Sequence, residues 1–182
     1  DALIDVSTVN VEENGQGDDR TSPYVVPPNF IRDQDITSTV NRRLNEQSLR
    51  LCVNDLDDKN ARAVYKNVSY DFLNYGKVNM FIHAETNDPT LSDGKVSAFL
   101  RLGTDFKDNY YEIEVPLYFT NPKNTFDPYA IWRGENEIDL AIEELINTKL
   151  ERDRAGAALT SSYSRMYNGK KLTVVGKPDI SA

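Results

Sequence analysis

Apolar and polar side chains alternate along three stretches in the middle of the chain: KVNMFIHAE (77–85), KVSAFLRLG (95–103) and NYYEIEVPL (109–117). Val78, Met80, Ile82 and Ala84 share one phase of the first, and Val96, Ala98, Leu100 and Leu102 one phase of the second. Tyr111, Ile113, Val115 and Leu117 share one phase of the third. A period of two predicts strands with one buried face. The links TNDPTLSDG and TDFKDN are rich in turn formers, so the region reads as two consecutive antiparallel hairpins, a meander. Its inward face is half a core and needs a second layer.

The rest of the chain adds shorter elements. Residues 1–35 are expected to be an extended N-terminal arm or linker, with DALIDVSTVNVEE able to form an edge strand and Pro27–Pro28 favouring an extended course. Residues 36–182 are then the domain proper. Within it SLRLCV (48–53), ARAVYK (61–66) and KLTVVG (171–176) read as strands. VSYDFLNYG reads as a turn of helix or 3₁₀ capped by Gly76. EIDL (137–140) fits either a strand or a helix start; a short strand to Ala141 followed by a helix from about Glu143 to Arg154, stopped at Gly156, is preferred. ALTSSYSRMYNG is read as a polar connector with a Tyr-Asn-Gly turn. At least six strands with one short helix predict a mainly β chain, an antiparallel β-sandwich.

Composition narrows the function classes. The net charge of −8 and pI near 4.7 disfavour a duplex nucleic-acid binder, which presents a basic patch. No apolar run is long enough for a membrane-spanning helix. The chain starts at Asp1 without Met, which suggests a piece of something longer. The single Cys52 excludes an internal disulfide. A glycine-rich phosphate loop, a nucleophile elbow, CxxC and HExxH are all absent, and one histidine excludes a two-His metal site. No catalytic residue is assigned, and no enzyme is expected.

A few side chains remain as candidates. His83, in phase with Phe81 and Glu85, is expected to be structural and to lie on the outer face of the meander. The loop 54–60 offers Asp55, Asp57 and Asp58 as oxygen ligands for Ca²⁺, against the default reading of a bare Asx-rich turn. No other cofactor is expected. Glu112 and Glu114 raise the thought of a glycosidase pair, but Arg101 on the preceding strand explains Glu112 more simply. Tyr110, Tyr129 and Trp132, with neighbouring aromatics, form either a sugar-stacking platform or the closed end of the core, core closure being favoured.

Longer stretches carry a resemblance. PYVVPPNFIRDQDITSTVNRRLNEQSLRL (23–51), NDLDDKNARAVYKNVSYDFLNYGKVNMFIHAE (54–85) and LRLGTDFKDNYYEIEVPL (100–117), with ENEIDL (135–140) and LTVVGKPDIS (172–181), resemble the SprA family of very large cell-surface gliding-motility proteins of Bacteroidota. The resemblance covers residues 23–181, and residues 1–22 show no matching pattern. It implies a non-enzymatic soluble module of the giant outer-membrane barrel of type IX secretion, in the cell envelope and associated with the outer membrane. Implied partners are other parts of the same large protein, secretion-system subunits and secreted proteins, with no nucleic acid and no membrane span of its own. A carbohydrate-binding module of the cell surface is the alternative. The strand order resembles the galactose-binding-like jelly roll. The family pattern continues with another strand beyond Ser181, so either residues 1–12 are expected to be ordered as a strand against an open sheet edge or two copies of the chain are expected to pair edge to edge.

Overall fold

The computed structural model describes residues 2–17, 21–34, 36, 43–121 and 125–181. In chain order the elements are β1 (Leu3–Asn10), α1 (Val11–Asn14), β2 (Gln47–Asn54), β3 (Lys77–Met80), β4 (Ser97–Gly103), β5 (Tyr110–Pro116), α2 (Pro128–Ile131), β6 (Ile138–Ala141), α3 (Ile142–Arg154), β7 (Tyr163–Tyr167) and β8 (Lys170–Val175), with a 3₁₀ turn at Phe72–Asn74. All strand pairs are antiparallel, and the chain is mainly β. It divides into two compact units, Asp1–Asn67 with Asn121–Ile131, and Val68–Thr120 with Trp132–Ala182. The first passage between these units falls at 67/68, and residues 1–35 belong to the first unit.

In that first unit β1 pairs with β2 over its whole length, from Leu3 opposite Asn54 to Asn10 opposite Gln47. The alternation at 1–12 thus becomes a strand, but on β2 rather than on an edge left open after Ser181. Asn10 ends it by capping α1: its Oδ1 accepts from the N–H groups of Glu12 (3.0 Å) and Glu13 (2.9 Å). Farther along the arm, Tyr24 is buried and donates its hydroxyl to the Glu46 carboxylate beside β2, with Ser48 Oγ 2.7 Å away. Burial, then the bond to Glu46, raises the pKa of this phenol well above its ordinary value. Residues 61–66, expected as a strand, pair with no strand among the described residues, and Val64 and Tyr65 are exposed.

The second unit holds the main core. Its four-stranded sheet runs β4-β5-β8-β7. Opposite it lie α3 and the two-stranded β3–β6 ribbon. The second layer is therefore a ribbon and a helix, not the second large sheet of a jelly roll. Tyr111, Ile113, Val115, Leu172 and Val174 of the sheet meet Ile138, Leu140, Ile142 and Leu145 of the other layer. Each fully buried aliphatic side chain contributes roughly 1.5–3 kcal/mol. The inward phase expected for the meander holds: Val78, Met80, Ile82, Ala98, Leu100 and Leu102 pack against this core, and Ala84 is buried. The first hairpin does not hold. β3 pairs with β6, with Val78 opposite Leu140, and of the two expected hairpins β4–β5 alone is formed.

Local chemistry explains the joints. The strand to Ala141 runs directly into α3, whose first turn carries Glu143 and Glu144 and whose last carries Arg152 and Arg154, matching the helix dipole. Gly156 at φ +64 closes the helix, with the Ala157 N–H on the Arg152 carbonyl (3.2 Å) and its own N–H on that of Asp153 (3.2 Å), a Schellman pair. The segment read as a polar connector contains β7, joined to β8 by Asn168 (φ 47) and Gly169 (φ 77), the two left-handed residues of a type I′ hairpin. Gly76 is not left-handed; the Tyr75 N–H closes the 3₁₀ turn on the Phe72 carbonyl. Asn136, fully buried, replaces a missing strand neighbour: its Oδ1 takes the Tyr118 N–H (2.7 Å) and its Nδ2 donates to the Tyr118 carbonyl (2.9 Å).

Candidate functional site

On the outward face of the four-stranded sheet the register sets Arg101 opposite Glu112, and Glu114 opposite Lys171. Arg101 Nε donates to Glu112 at 2.6 Å, and Lys171 Nζ to Glu114 at 2.7 Å. The Glu114 bond comes first among the causes that raise the pKa of Lys171. Each carboxylate has a cation across the strand, so the two Glu side chains form a charged ladder. Tyr110 lies at the end of it with the Arg101 guanidinium 4.1 Å above its ring, so that ring face is occupied.

Trp132 sits elsewhere in the second unit and is buried. It packs edge-on against Phe81 (centroids 6.3 Å) and His83 (5.9 Å). The face of residues 81–85 expected to meet solvent is thus covered by an indole from a distant part of the chain. His83 Nε2 is buried with no hydrogen-bond partner among the described residues. Tyr129, by contrast, is exposed on α2 of the first unit. Tyr110, Tyr129 and Trp132 therefore occupy three different settings.

The burial of His83 has a measurable consequence. Desolvation lowers its pKa below the ordinary 6.5, and nearby Glu85 offsets this only in part. Between the two values the unfolded chain binds the proton more readily than the folded one, so stability rises with pH and falls as pH drops below about 6.5. The slope reaches at most about 1.4 kcal/mol per pH unit. The lowered carboxyls of Asp88, Asp105, Glu135 and Asp179, held down by hydrogen bonds from Thr90, the Asp108 backbone, the Glu135 backbone and Ser181 respectively, lose their contributions only in more acidic solution. His83 is the single histidine, so melting temperature should fall between pH 7 and pH 5 in the native chain and stay level in His83→Gln. Parallel curves for the two proteins would remove His83 from the account.

The Asp-rich loop at 54–60 is a turn in the structure. Asp55 (φ 54) and Lys59 (φ 65) are left-handed, and Asn60 donates its N–H to the Asp57 carbonyl (3.0 Å) and its Nδ2 to the Asp57 carboxylate (3.3 Å). Among the described residues no group of three His, Cys, Asp or Glu side chains, Asp55, Asp57 and Asp58 included, is arranged to hold a metal ion.

What the sequence reading did not single out is one face of the β1–β2 ribbon. The register puts Ile4 across from Val53, Val6 from Leu51, and Thr8 from Leu49, all on one side. Val6, Leu49, Leu51 and Val53 are exposed, Leu49 by 57%. The other side carries Asp5, Ser7, Arg50 and Cys52 along its middle, with Leu3, also exposed, and Val9 toward its ends. The signal was present as two separate alternations, at 4–8 and 49–53, but only the pairing register aligns them into one apolar face. Two strands alone are marginal in water, and such a face gains most when something covers it.

A search of curated proteins finds no match to the chain. The sequence model of the SprA N-terminal family, described as motility related/secretion protein, matches residues 1–182, including the 1–22 stretch in which no pattern had been legible. The chain therefore belongs, over its whole length, to this family of motility-related secretion proteins.

Proposed function

We propose that the chain is a non-enzymatic module of an outer-membrane protein translocon, the type IX secretion and gliding machinery of Bacteroidota. In this reading it makes protein contacts that shape the pore or meet cargo. The observation that carries the reading is the apolar face of the β1–β2 ribbon. Its occupant is another segment of the same large protein. The family assignment to motility and secretion supports the setting, and the four-stranded sheet facing a ribbon and helix is a reduced sandwich suited to scaffolding. His83, packed under Trp132, is poorly placed to serve as a general base. The glycan-binding alternative has less behind it, because Trp132 is buried and the Tyr110 ring is capped by Arg101.

A photo-crosslinking side chain at Leu49 or Leu51 of the full-length protein in intact cells tests this. Cross-linked peptides from elsewhere in the same polypeptide are expected, with none from the same label at Ser7 on the opposite face. Labels at Leu49 and Leu51 that capture nothing would overturn the assignment, as would capture equal to that at Ser7.

A further inference from the structure

The four-stranded sheet ends on β4 at one margin and on β7 at the other. The two margins are built differently. β7 is five residues long and carries Arg165 in its inward phase, tied to Thr148 and Glu144 of α3. A short strand with an inward charge is a guarded edge. β3 and β6 of the other layer are four residues each, shorter still. β4 has seven residues, with no proline, no lysine and no bulge in its ladder with β5.

The register shows which groups of β4 face outward. The Leu117 N–H bonds the Val96 carbonyl (2.8 Å), and Pro116, which has no N–H, lies opposite Ser97. Even-numbered residues of β4 therefore bond to β5, and the N–H and C=O groups of Ser97, Phe99, Arg101 and Gly103 point away from the sheet. No described residue bonds to any of these backbone groups. Ser97, Arg101 and Gly103 are exposed, and the Arg101 side chain is drawn back over Tyr110 and Glu112. On the core side Ala98, Leu100 and Leu102 are only half-buried, whereas Tyr111, Ile113 and Val115 beside them on β5 are buried. One more strand at this margin adds both ladder partners and apolar cover.

A strand of the same sequence fits the margin. Leu100 is the middle residue of β4. A two-fold axis there sets a second copy of β4 antiparallel to the first, with Leu100 opposite its own equivalent. Ala98 then faces Leu102 of the second copy, Ser97 faces Gly103, and Phe99 faces Arg101. Every outward N–H and C=O of the two strands gains a partner, and the inner-face pairs are all apolar. Arg101 is the one charged residue of the strand, and it meets a phenyl ring rather than another guanidinium. An axis at Arg101 sets the two guanidinium groups against each other, so charge selects the register centred on Leu100.

We propose that β4 is a self-association surface, at which two copies of the chain join their four-stranded sheets edge to edge. The pairing of two copies expected from the sequence has its edge here, residues 1–12 being taken up by β2. The contact lies in the unit that does not hold the β1–β2 ribbon.

The test follows the 182-residue chain by sedimentation and amide hydrogen exchange between about 1 μM and 1 mM, the range in which a small interface dissociates. Salt is kept high enough to screen the net charge of −8. A reversible dimer is expected. In it the amides of Ser97, Phe99, Arg101 and Gly103 exchange about tenfold more slowly than after dilution, while those of Ala98, Leu100 and Leu102 are unchanged. Phe99→Lys should sediment as a monomer, because the new cation faces Arg101 of the other copy twice; within its own sheet it faces Glu114, so the fold is kept. Leu49→Lys, on the ribbon, should leave the dimer intact. Leu100→Cys, made together with Cys52→Ser, should give a disulfide-linked dimer on oxidation, since such a pair sets its Cα atoms about 4.5 Å apart. A monomer at every concentration, a dimer that survives Phe99→Lys, a dimer dissolved by Leu49→Lys, or a dimer whose edge amides stay unprotected would each overturn the proposal. The crosslinks from Leu49 and Leu51 report on the other unit and are decided separately.

Discussion

Gly176→Ala is expected to destabilise the second unit by about 3–5 kcal/mol, through backbone strain plus a forced shift of packed atoms. Gly176 has φ +63, where an L side chain costs about 1–2 kcal/mol. Space is the larger problem: a Cβ there would lie 2.0 Å from the Asp108 carbonyl oxygen and 2.4 Å from Asn109 Oδ1. Neither side can retreat easily. Asp105 Oδ1 holds the β4–β5 turn by accepting from the N–H groups of Lys107 (2.9 Å) and Asp108 (2.6 Å), and hydrogen bonds from these N–H groups and from the Asn109 side chain keep its carboxyl far below the ordinary range. Gly176 is tied from the other direction, its N–H to the Leu159 carbonyl (2.9 Å) and its carbonyl to Arg152 (2.5 Å). Gly169→Ala is the internal comparison. It has φ +77 but nothing within 4 Å of the added Cβ, so it should cost only the backbone term. Thermal melts of the two variants separate the contributions; equal losses would show that the close approach to Asp108 carries no weight.

Arg152→Ala should cost about 3 kcal/mol, from charge-assisted hydrogen bonds lost and a void left under the helix. Its side chain is 1% exposed at the end of α3. Nε (3.0 Å) and Nη2 (2.9 Å) donate to Asp153, and Nη1 to the Gly176 carbonyl. Asp153 is half exposed and can rehydrate, which keeps the loss at the lower end of what a broken buried pair costs. Arg152→Met, which restores most of the volume but no donor, should recover about 1 kcal/mol of the loss. Urea unfolding of the three proteins measures both steps, and an alanine variant within about 0.5 kcal/mol of the native chain would contradict the bonding scheme. The two sites share the Gly176 carbonyl, so the effects of a double variant should not add.

Much of this was legible in the sequence, and the failures have physical causes. The inward phase of 78–84, 98–102 and 111–115 was readable because burial on a strand repeats every second residue, whatever the neighbour. The strand at 138–140 and the following helix were readable because the apolar period changes from two to a helical one near Ala141. Which strands pair was not readable: β3 chooses β6, and the Lys77–Asp139 contact at 3.1 Å and the Asn79–Glu137 contact at 2.7 Å join residues about sixty positions apart. β7 was hidden because Arg165 occupies its inward phase between Tyr163 and Tyr167; it is accommodated there by bonds to Thr148 Oγ1 (2.8 Å) and to the carbonyl (3.0 Å) and carboxylate of Glu144. ARAVYK misled in the opposite way, since alternation shows only that a strand could form. Of the candidate side chains, the pairing of Glu112 with Arg101 was foreseeable from adjacent strands. The cover that Trp132 places on His83 depends on a residue brought from far along the chain.

The division of the chain between its units bears on the order in which it can be made. Residues 121–131 leave the second unit and return to the first, so the backbone passes between units three times, at 67/68, 120/121 and 131/132. A ribosome working from the N-terminus delivers β1 and β2 early, yet the first unit lacks a piece until residue 131 has emerged. By then β3, β4 and β5 of the other unit are already outside the tunnel, still without β6, α3, β7 and β8. Both units therefore spend part of synthesis incomplete at the same time, the first without its 121–131 segment and the second without half of its strands, and neither can be obtained whole by cutting the gene at one place.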